Sequence, residues 1–228
     1  MGFLGDIETV VRQCPADRQT LLFSATYPEG IASLAQRFMR DPQTVKVAAQ
    51  HSSNKIEQRW YEVGAREKVA TVSKLLAHFR PESTIAFCNT KQQCRDVVNA
   101  LQAEGFSALA LFGELEQRER DEVLVQFANK SCSVLVATDV AARGLDIADL
   151  SAVINVDVTP DSEVHIHRIG RTGRGDAEGL ALNLVSMDEM GSVGKIEQLQ
   201  GRASQFFPVD ELTPAAGGEL LPPMMTIQ

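Results

Sequence analysis

The segment His165-Ile-His-Arg-Ile-Gly-Arg-Thr-Gly-Arg174 places three arginines at three-residue spacing with no acidic residue between them. A guanidinium stays charged at any physiological pH and matches phosphate oxygens in pairs, so Arg168, Arg171 and Arg174 together suit a polyanion. Gly170 and Gly173 would let the backbone approach a ligand closely. Standing alone, such a run would read as a solvated basic turn. It has company upstream in Val134-Leu-Val-Ala-Thr-Asp-Val-Ala-Ala-Arg-Gly-Leu-Asp-Ile147. That stretch reads as a buried strand ending in Thr138 and Asp139, followed by a turn through Arg143 and Gly144 to Asp146. Hydroxyls, turn amides and guanidinium groups in such places can grip phosphate without reading a base.

Groups of this kind need a rigid frame. From Lys55 onward, apolar strand-like runs alternate with amphipathic helical stretches, the pattern of a parallel α/β sheet. The strands are expected at Glu57 to Val63, Thr84 to Cys88, Ala108 to Phe112, Ser133 to Ala137, Ala152 to Val156 and Gly179 to Val185. Arg66 to Phe79, Lys91 to Glu104, Gln117 to Ala128, Glu163 to Arg168 and Met187 to Gln200 carry apolar residues at helical spacing. Right-handed crossovers would then gather the strand ends, and the motifs, along one edge of the sheet. Before residue 48 the sequence offers a short helix, a strand Thr20 to Ser24, a helix Glu29 to Arg40 and a small strand Thr44 to Val47. Leu21, Leu22 and Phe23 read as a central strand buried on both faces, yet too few strands accompany it to make a sheet.

Bulk properties limit the alternatives. The chain has 228 residues, 44% of them hydrophobic, enough for a core in one or two domains. No apolar run nears the roughly 18 residues of a membrane span, and nothing at Met1 resembles a secretory signal. A cytoplasmic location, a monomer and no membrane partner are expected. Cys14, Cys88, Cys94 and Cys132 lack paired metal-ligand spacing, so neither a zinc site nor a disulfide framework is expected. The net charge of −8 opposes a uniformly basic surface, but arginines cluster at 118, 120, 143 and 168–174, which allows a local positive groove.

Taken in order, Ala-Arg-Gly-Leu-Asp146 and His-Arg-Ile-Gly-Arg-Thr-Gly-Arg174 resemble motifs V and VI of DEAD-box RNA helicases. Ser24-Ala25-Thr26 resembles motif III, Ile85-Ala-Phe-Cys-Asn-Thr90 motif IV, and Gln117 with Arg120 the family's Q-x-x-R element. Ala-Phe-Cys-Asn-Thr-Lys-Gln and Asp-Val-Thr-Pro resemble the DbpA-like subgroup. The resemblance implies a second RecA-like helicase domain over 56–204. Residues 1–48 would be a remnant of the first, ATP-binding domain, 49–55 the interdomain linker, and 205–228 a linker toward an absent C-terminal RNA-binding domain. It implies Arg171 and Arg174 as arginine fingers on ATP, with His167 bridging to the first domain's acids and Gly144 and Asp146 beside the nucleotide. Thr90, Gly113, Arg120, Thr138, Arg143 and Gly144 would hold RNA phosphates. Ser24, Ala25, Thr26 and Gln117 would couple the two domains. The cofactor would be ATP with magnesium, the metal held by the missing first domain, and the partner RNA, in this subgroup ribosomal RNA in large-subunit assembly.

Several plainer readings stand beside these. Thr90 and Thr138 can serve as helix N-caps, Asp146 as a turn carboxylate, and His165 is expected on a helix surface. Phe112 stands where the family commonly has histidine, and it can stack or simply pack. No G-x-x-x-x-G-K-[ST] and no Asp-Glu-x-Asp occur in the sequence. Gly191-Ser-Val-Gly-Lys-Ile196 has the wrong glycine spacing, and Ile196 cannot ligate magnesium. ATP hydrolysis by this chain alone is therefore not expected. A stand-alone, non-catalytic module that binds RNA or a partner remains the alternative from another class. A DNA-acting relative fits the wording of motifs V and VI less well.

Overall fold

The computed structural model describes residues 4–24, 29–45, 56–174 and 177–215. The chain forms two compact units, Met1–Gln50 and His51–Gln228. The expected linker 49–55 lies outside the described residues.

The first unit holds α1 (Leu4–Gln13) and α2 (Glu29–Phe38). Arg37 pairs with Glu8, and the Arg18 guanidinium donates to the Phe38 carbonyl at 3.2 Å. The expected strand Thr20 to Ser24 does not form, and Leu21, Leu22 and Phe23 are 67%, 44% and 87% exposed. Thr44 and Val45, the described part of the other expected strand, are also outside any strand. The reason is physical: backbone donors and acceptors become a strand only when a neighbouring strand pairs with them, and no strand occurs among the described residues of this unit.

The second unit is a six-stranded parallel sheet in the order β1-β6-β5-β2-β4-β3. The strands are β1 (Ile56–Glu62), β2 (Thr84–Cys88), β3 (Ala108–Leu111), β4 (Val134–Thr138), β5 (Ala152–Asn155) and β6 (Gly179–Val185). Between them run α3 (Lys68–Phe79), α4 (Lys91–Ala103), α5 (Gln117–Ala128), α6 (Asp139–Ala142) and α7 (Ser162–Ile169), and α8 (Met190–Gln200) follows β6. β2 and β4 are buried at every position, as central parallel strands covered on both faces must be. Their alternate residues face opposite layers. Ala86, Cys88 and Val136 pack with Val72 and Leu75 of α3 and Val97 of α4. Ile85, Phe87 and Leu135 pack with Leu124 and Phe127 of α5 and Ala141 of α6. Thus the loops leaving β2 and β4 depart toward opposite faces, which opens a crevice at the carboxyl ends of adjacent strands.

Two expectations need correction. His165 is not a surface residue: it is 1% exposed, stacks on Trp60 at 5.4 Å and shares a 3.1 Å hydrogen bond with Gln58. It lies on the inward face of α7 with Arg168 and Ile169, at helical spacing of three and four. The chain from 205 is likewise not a free linker as far as Ala215. The Gln205 carbonyl accepts from the Trp60 amide at 3.0 Å, and the Phe207 amide donates to the Trp60 carbonyl at 2.8 Å. Phe207 and Leu212 join the core, and the Ala215 amide reaches the Ala77 carbonyl at 3.2 Å. Prolines that interrupt helices do not prevent an extended strap from lying along an edge strand. Among the described residues no helix is long and apolar enough to cross a membrane.

Candidate functional site

A polar belt, buried at its centre and partly open at its ends, lies at the carboxyl ends of β2, β4 and β5. At its centre Arg168, 1% exposed, holds Asp139 in a fork: Nε donates to Oδ1 at 2.7 Å and one terminal nitrogen to Oδ2 at 2.6 Å. The same guanidinium donates to Asn89 Oδ1 at 2.9 Å, Asn155 Oδ1 at 3.2 Å and the Asp157 carbonyl at 2.7 Å. It also lies over the Phe87 ring at 5.1 Å. Asp157 accepts from the Asn89 amide at 2.9 Å and from Lys68 at 3.2 Å, and Lys68 donates to Glu189 at 2.6 Å. A buried charge is tolerated when paired and hydrogen-bonded, and each member here is. Arg168 is therefore no phosphate ligand, although it belongs to the basic run. It ties the loop after β2 to the loop after β4.

The three arginines do not share the carboxyl edge of the sheet as expected. Arg168 lies in α7, whereas Arg171 and Arg174 lie beyond its end at Ile169, on either side of Thr172, which bridges to Leu150 just before β5. Arg171 lies against the connection from α6 to β5, donating to the carbonyls of Leu145 at 2.6 Å and Ile147 at 3.2 Å. Arg174 is exposed, its Nε donating to the Gly170 carbonyl at 3.2 Å. Gly173 takes φ +66°, and a Cβ there would lie 2.7 Å from Ile56 beside the start of β1. Burial lowers the Arg171 pKa, helped by the Arg174 charge and opposed by Asp146. Neither arginine has an ion-pair partner among the described residues, and the Asp146 charge partly offsets that of Arg171, so this face carries two adjacent cations. A cleft lined by Asp139, Arg143, His167, Arg168 and Arg171 adjoins them, and His167, Arg143, Gly144 and Asp146 are exposed.

Thr90, Thr138 and Gly113 follow β2, β4 and β3, which are neighbours in that order, so their loops form a row along the carboxyl edge. Both hydroxyls act as caps: Thr90 Oγ1 accepts from the Gln93 amide at 3.2 Å and Thr138 Oγ1 from the Ala141 amide at 3.4 Å. Thr90 is exposed and Thr138 9% exposed. A Cβ on Gly113 would meet nothing within 4 Å, and Gly144 takes φ +76°, a conformation that favours glycine. Arg120, half-buried, donates to the Ala141 carbonyl at 3.3 Å and so fixes the start of α5 against α6. Gln117 is exposed and donates to Asp121 at 2.8 Å within α5. Phe112 is partly buried against the core with the Arg95 guanidinium 5.0 Å from its ring. Ser24 is exposed in the first unit, while Ala25 and Thr26 lie outside the described residues.

The belt residues Lys68, Asn89, Asp139, Asn155, Asp157 and Glu189 escape a motif search. Their signal was nevertheless present, because Asn89, Asp139 and Asp157 each sit where a buried apolar run stops. A polar residue at the end of a central parallel strand faces the crevice.

Residues 67–176 match the helicase conserved C-terminal domain family. The chain is 50% identical over 189 residues to the ATP-dependent RNA helicase DbpA of Escherichia coli K12, covering 83% of this chain and 41% of that protein. It is 41% identical over 221 residues to the ATP-dependent RNA helicase CshA of Listeria monocytogenes, covering 96% of this chain and 42% of that protein. It thus spans about two fifths of the length of these curated relatives. Among solved structures, E. coli DEAD-box protein SrmB bound to the regulator RraA aligns with TM-score 0.65 at 33% identity, covering 72% of this chain and 98% of that one. S. cerevisiae Dbp5 bound to RNA and ADP BeF3 aligns with TM-score 0.81 at 28% identity, covering 92% of this chain and 56% of that one. With the sheet, the order of its motifs and these relatives agreeing, the chain belongs to the DEAD-box RNA helicases and carries their C-terminal helicase domain.

Proposed function

We propose that this chain supplies the closing half of an ATP-dependent RNA helicase, gripping RNA phosphates along the carboxyl edge and presenting arginines to ATP from the face below. The observation that carries this reading is the split fate of one basic run. Arg168 is consumed by internal partners, while Arg171 and Arg174 stand side by side with no ion pair among the described residues. Arg171 is preset by three carbonyls and Arg174 is exposed, so a triphosphate is the fitting counterion. Thr90, Gly113, Arg120, Thr138, Arg143 and Gly144 contact backbone phosphates and carry no sequence preference. His167 meets the acids of a first RecA-like domain, and Gln117 and Ser24-Ala25-Thr26 transmit closure between the domains.

Hydrolysis needs a phosphate loop and a metal-holding carboxylate set, neither of which occurs in this sequence. Among the described residues no three His, Cys, Asp or Glu side chains converge as a metal site. In this reading the magnesium belongs to the first domain, residues 1–48 are that domain's end, and 49–55 joins the two. At this face the chain's own work is to orient the γ-phosphate and offset its growing charge, a role worth about 10³ to 10⁵ in turnover in comparable phosphoryl transfers. Resemblance to DbpA-like members extends the proposal to ribosomal RNA during large-subunit assembly. Cytoplasmic location and a monomeric state belong to the same proposal.

Phosphate release with saturating RNA tests it, measured for the chain alone and after adding a first RecA-like domain. The expected result is background alone, RNA-stimulated turnover when combined, and loss of that turnover in Arg174→Ala with an unchanged melting curve. Full turnover by the combined Arg174→Ala protein would leave only a passive RNA-binding module.

A further inference from the structure

Beside Thr90 and Gly113 sits a charge cluster to which the motifs assign no role. Lys91, next to Thr90, is ion-paired with Glu114, next to Gly113. One turn along α4, Arg95 lies with its guanidinium 5.0 Å from the Phe112 ring and 3.7 Å from the second Glu114 oxygen. All three charged side chains are open to water, at 46%, 48% and 60% exposure for Lys91, Arg95 and Glu114. The 3.7 Å separation is too long for a hydrogen bond, and Arg95 makes none among the described residues. Its plane is propped by an aromatic ring while its donor edge lacks a close acceptor, an arrangement that suits an incoming oxygen pair. Phe112 occupies the position where the family commonly has histidine, so the polar group that an imidazole would offer there comes instead from the arginine that the ring supports.

We propose that Lys91 and Arg95 form an additional RNA phosphate contact, and that Glu114 holds both cations in the free protein as an internal competitor for that phosphate. The proposal rests on the reading that Thr90 and Gly113 face the RNA backbone. Glu114 carries the same charge as a phosphate and presents it from the neighbouring loop. Lys91 keeps the Glu114 carboxyl below its ordinary pKa, so the competitor is ionised throughout the neutral range. An exposed ion pair is weak and salt-screened, so a strand that brings several phosphates at once displaces it easily. The device would trim affinity for short or single contacts and spare longer strands.

The test is binding of oligouridylate to the full chain at several salt concentrations. Glu114→Gln should tighten binding about two- to fivefold at low salt, the equivalent of releasing one exposed ion pair. Its log–log salt slope should steepen by roughly 0.7 for each further phosphate neutralised. In a Lys91→Gln/Arg95→Gln background the same change should have no effect on affinity or slope. Unchanged or weaker binding by Glu114→Gln, or equal tightening in that background, would overturn the competitor role. Arg120→Ala and Arg143→Ala separate the two layers. If they weaken binding while Glu114→Gln does nothing, only the inference is lost. If neither weakens binding, the RNA edge itself is misplaced.

Discussion

Arg168 and Arg174 belong to one basic run, yet they differ as an interior differs from a surface. The first spends its donors on Asp139, Asn89, Asn155 and the Asp157 carbonyl; the side chain of the second, among the described residues, donates to the Gly170 carbonyl and faces water. Spacing alone treats them as equals. What separates them is that Arg168 lies within α7 and Arg174 beyond its end. The lesson concerns motifs in general: a charged residue within one can serve the frame that aims its neighbours, and only burial and partners tell which does which.

The comparison breaks most readily at Arg168. Arg168→Met should cost about 3–5 kcal/mol in urea unfolding, because the Asp139 carboxylate loses its cation and the Asn89, Asn155 and Asp157 carbonyl oxygens lose a buried donor. Arg174→Ala, by contrast, should stay within about 0.5 kcal/mol of the parent. Equal costs would erase the distinction between frame and ligand.

Acid titration sharpens the same boundary from the inner face of α7. Burial drives the His165 pKa down to about 3, with Arg168 and Arg202 adding to it. An unfolded histidine titrates near 6.5. Between these values the unfolded chain binds a proton that the folded chain refuses, so stability is full above about pH 6.5 and falls as pH drops. The slope from this group should approach about 1.4 kcal/mol per pH unit. Urea melts at stepped pH should show that slope flattened in His165→Phe.

Thr90 lies between the two classes, since its hydroxyl already caps α4. Thr90→Ala should cost about 1 kcal/mol in stability as a lost cap. Thr90→Asp keeps the cap while adding a negative charge, so weaker RNA binding without destabilisation would mark the position as a phosphate neighbour. The smallest stability change is expected for Arg143→Ala, within about 0.5 kcal/mol. Its RNA salt slope should nevertheless flatten by roughly 0.7. A melting shift with no change in slope would move Arg143 from ligand to frame.

Most of the second unit was legible from sequence because each of its strands is a short apolar run bounded by turns. All six expected strands are present, with ends displaced by a residue or so. α6 was not legible: its four residues are too few to show a period. Thr20 to Ser24 was over-read, since an apolar run signals burial only where partners exist, and pairing is not a local property. Gln205 to Ala215 was under-read for the opposite reason, its prolines and exposed stretches hiding Phe207 and Leu212. The site divides in the same way. Motif wording singled out Thr138, Arg143 and Arg171 as candidates, but not the bonds that make Arg168 internal, because those come from strands far apart in the chain.

The strap at Gln205–Phe207 has a consequence for how the molecule meets its own copies. A parallel sheet ends in rims whose free amides and carbonyls invite any extended chain, which is how folded proteins nucleate aggregates. Here the β1 rim is occupied at Trp60, hydrogen-bonded on both sides of that residue, with Phe207 beside Tyr61 and stacked under Arg59. The opposite rim, β3, is four residues long and offers little to pair with. The sheet is thus closed to self-templating at one end by its own later sequence and at the other by brevity.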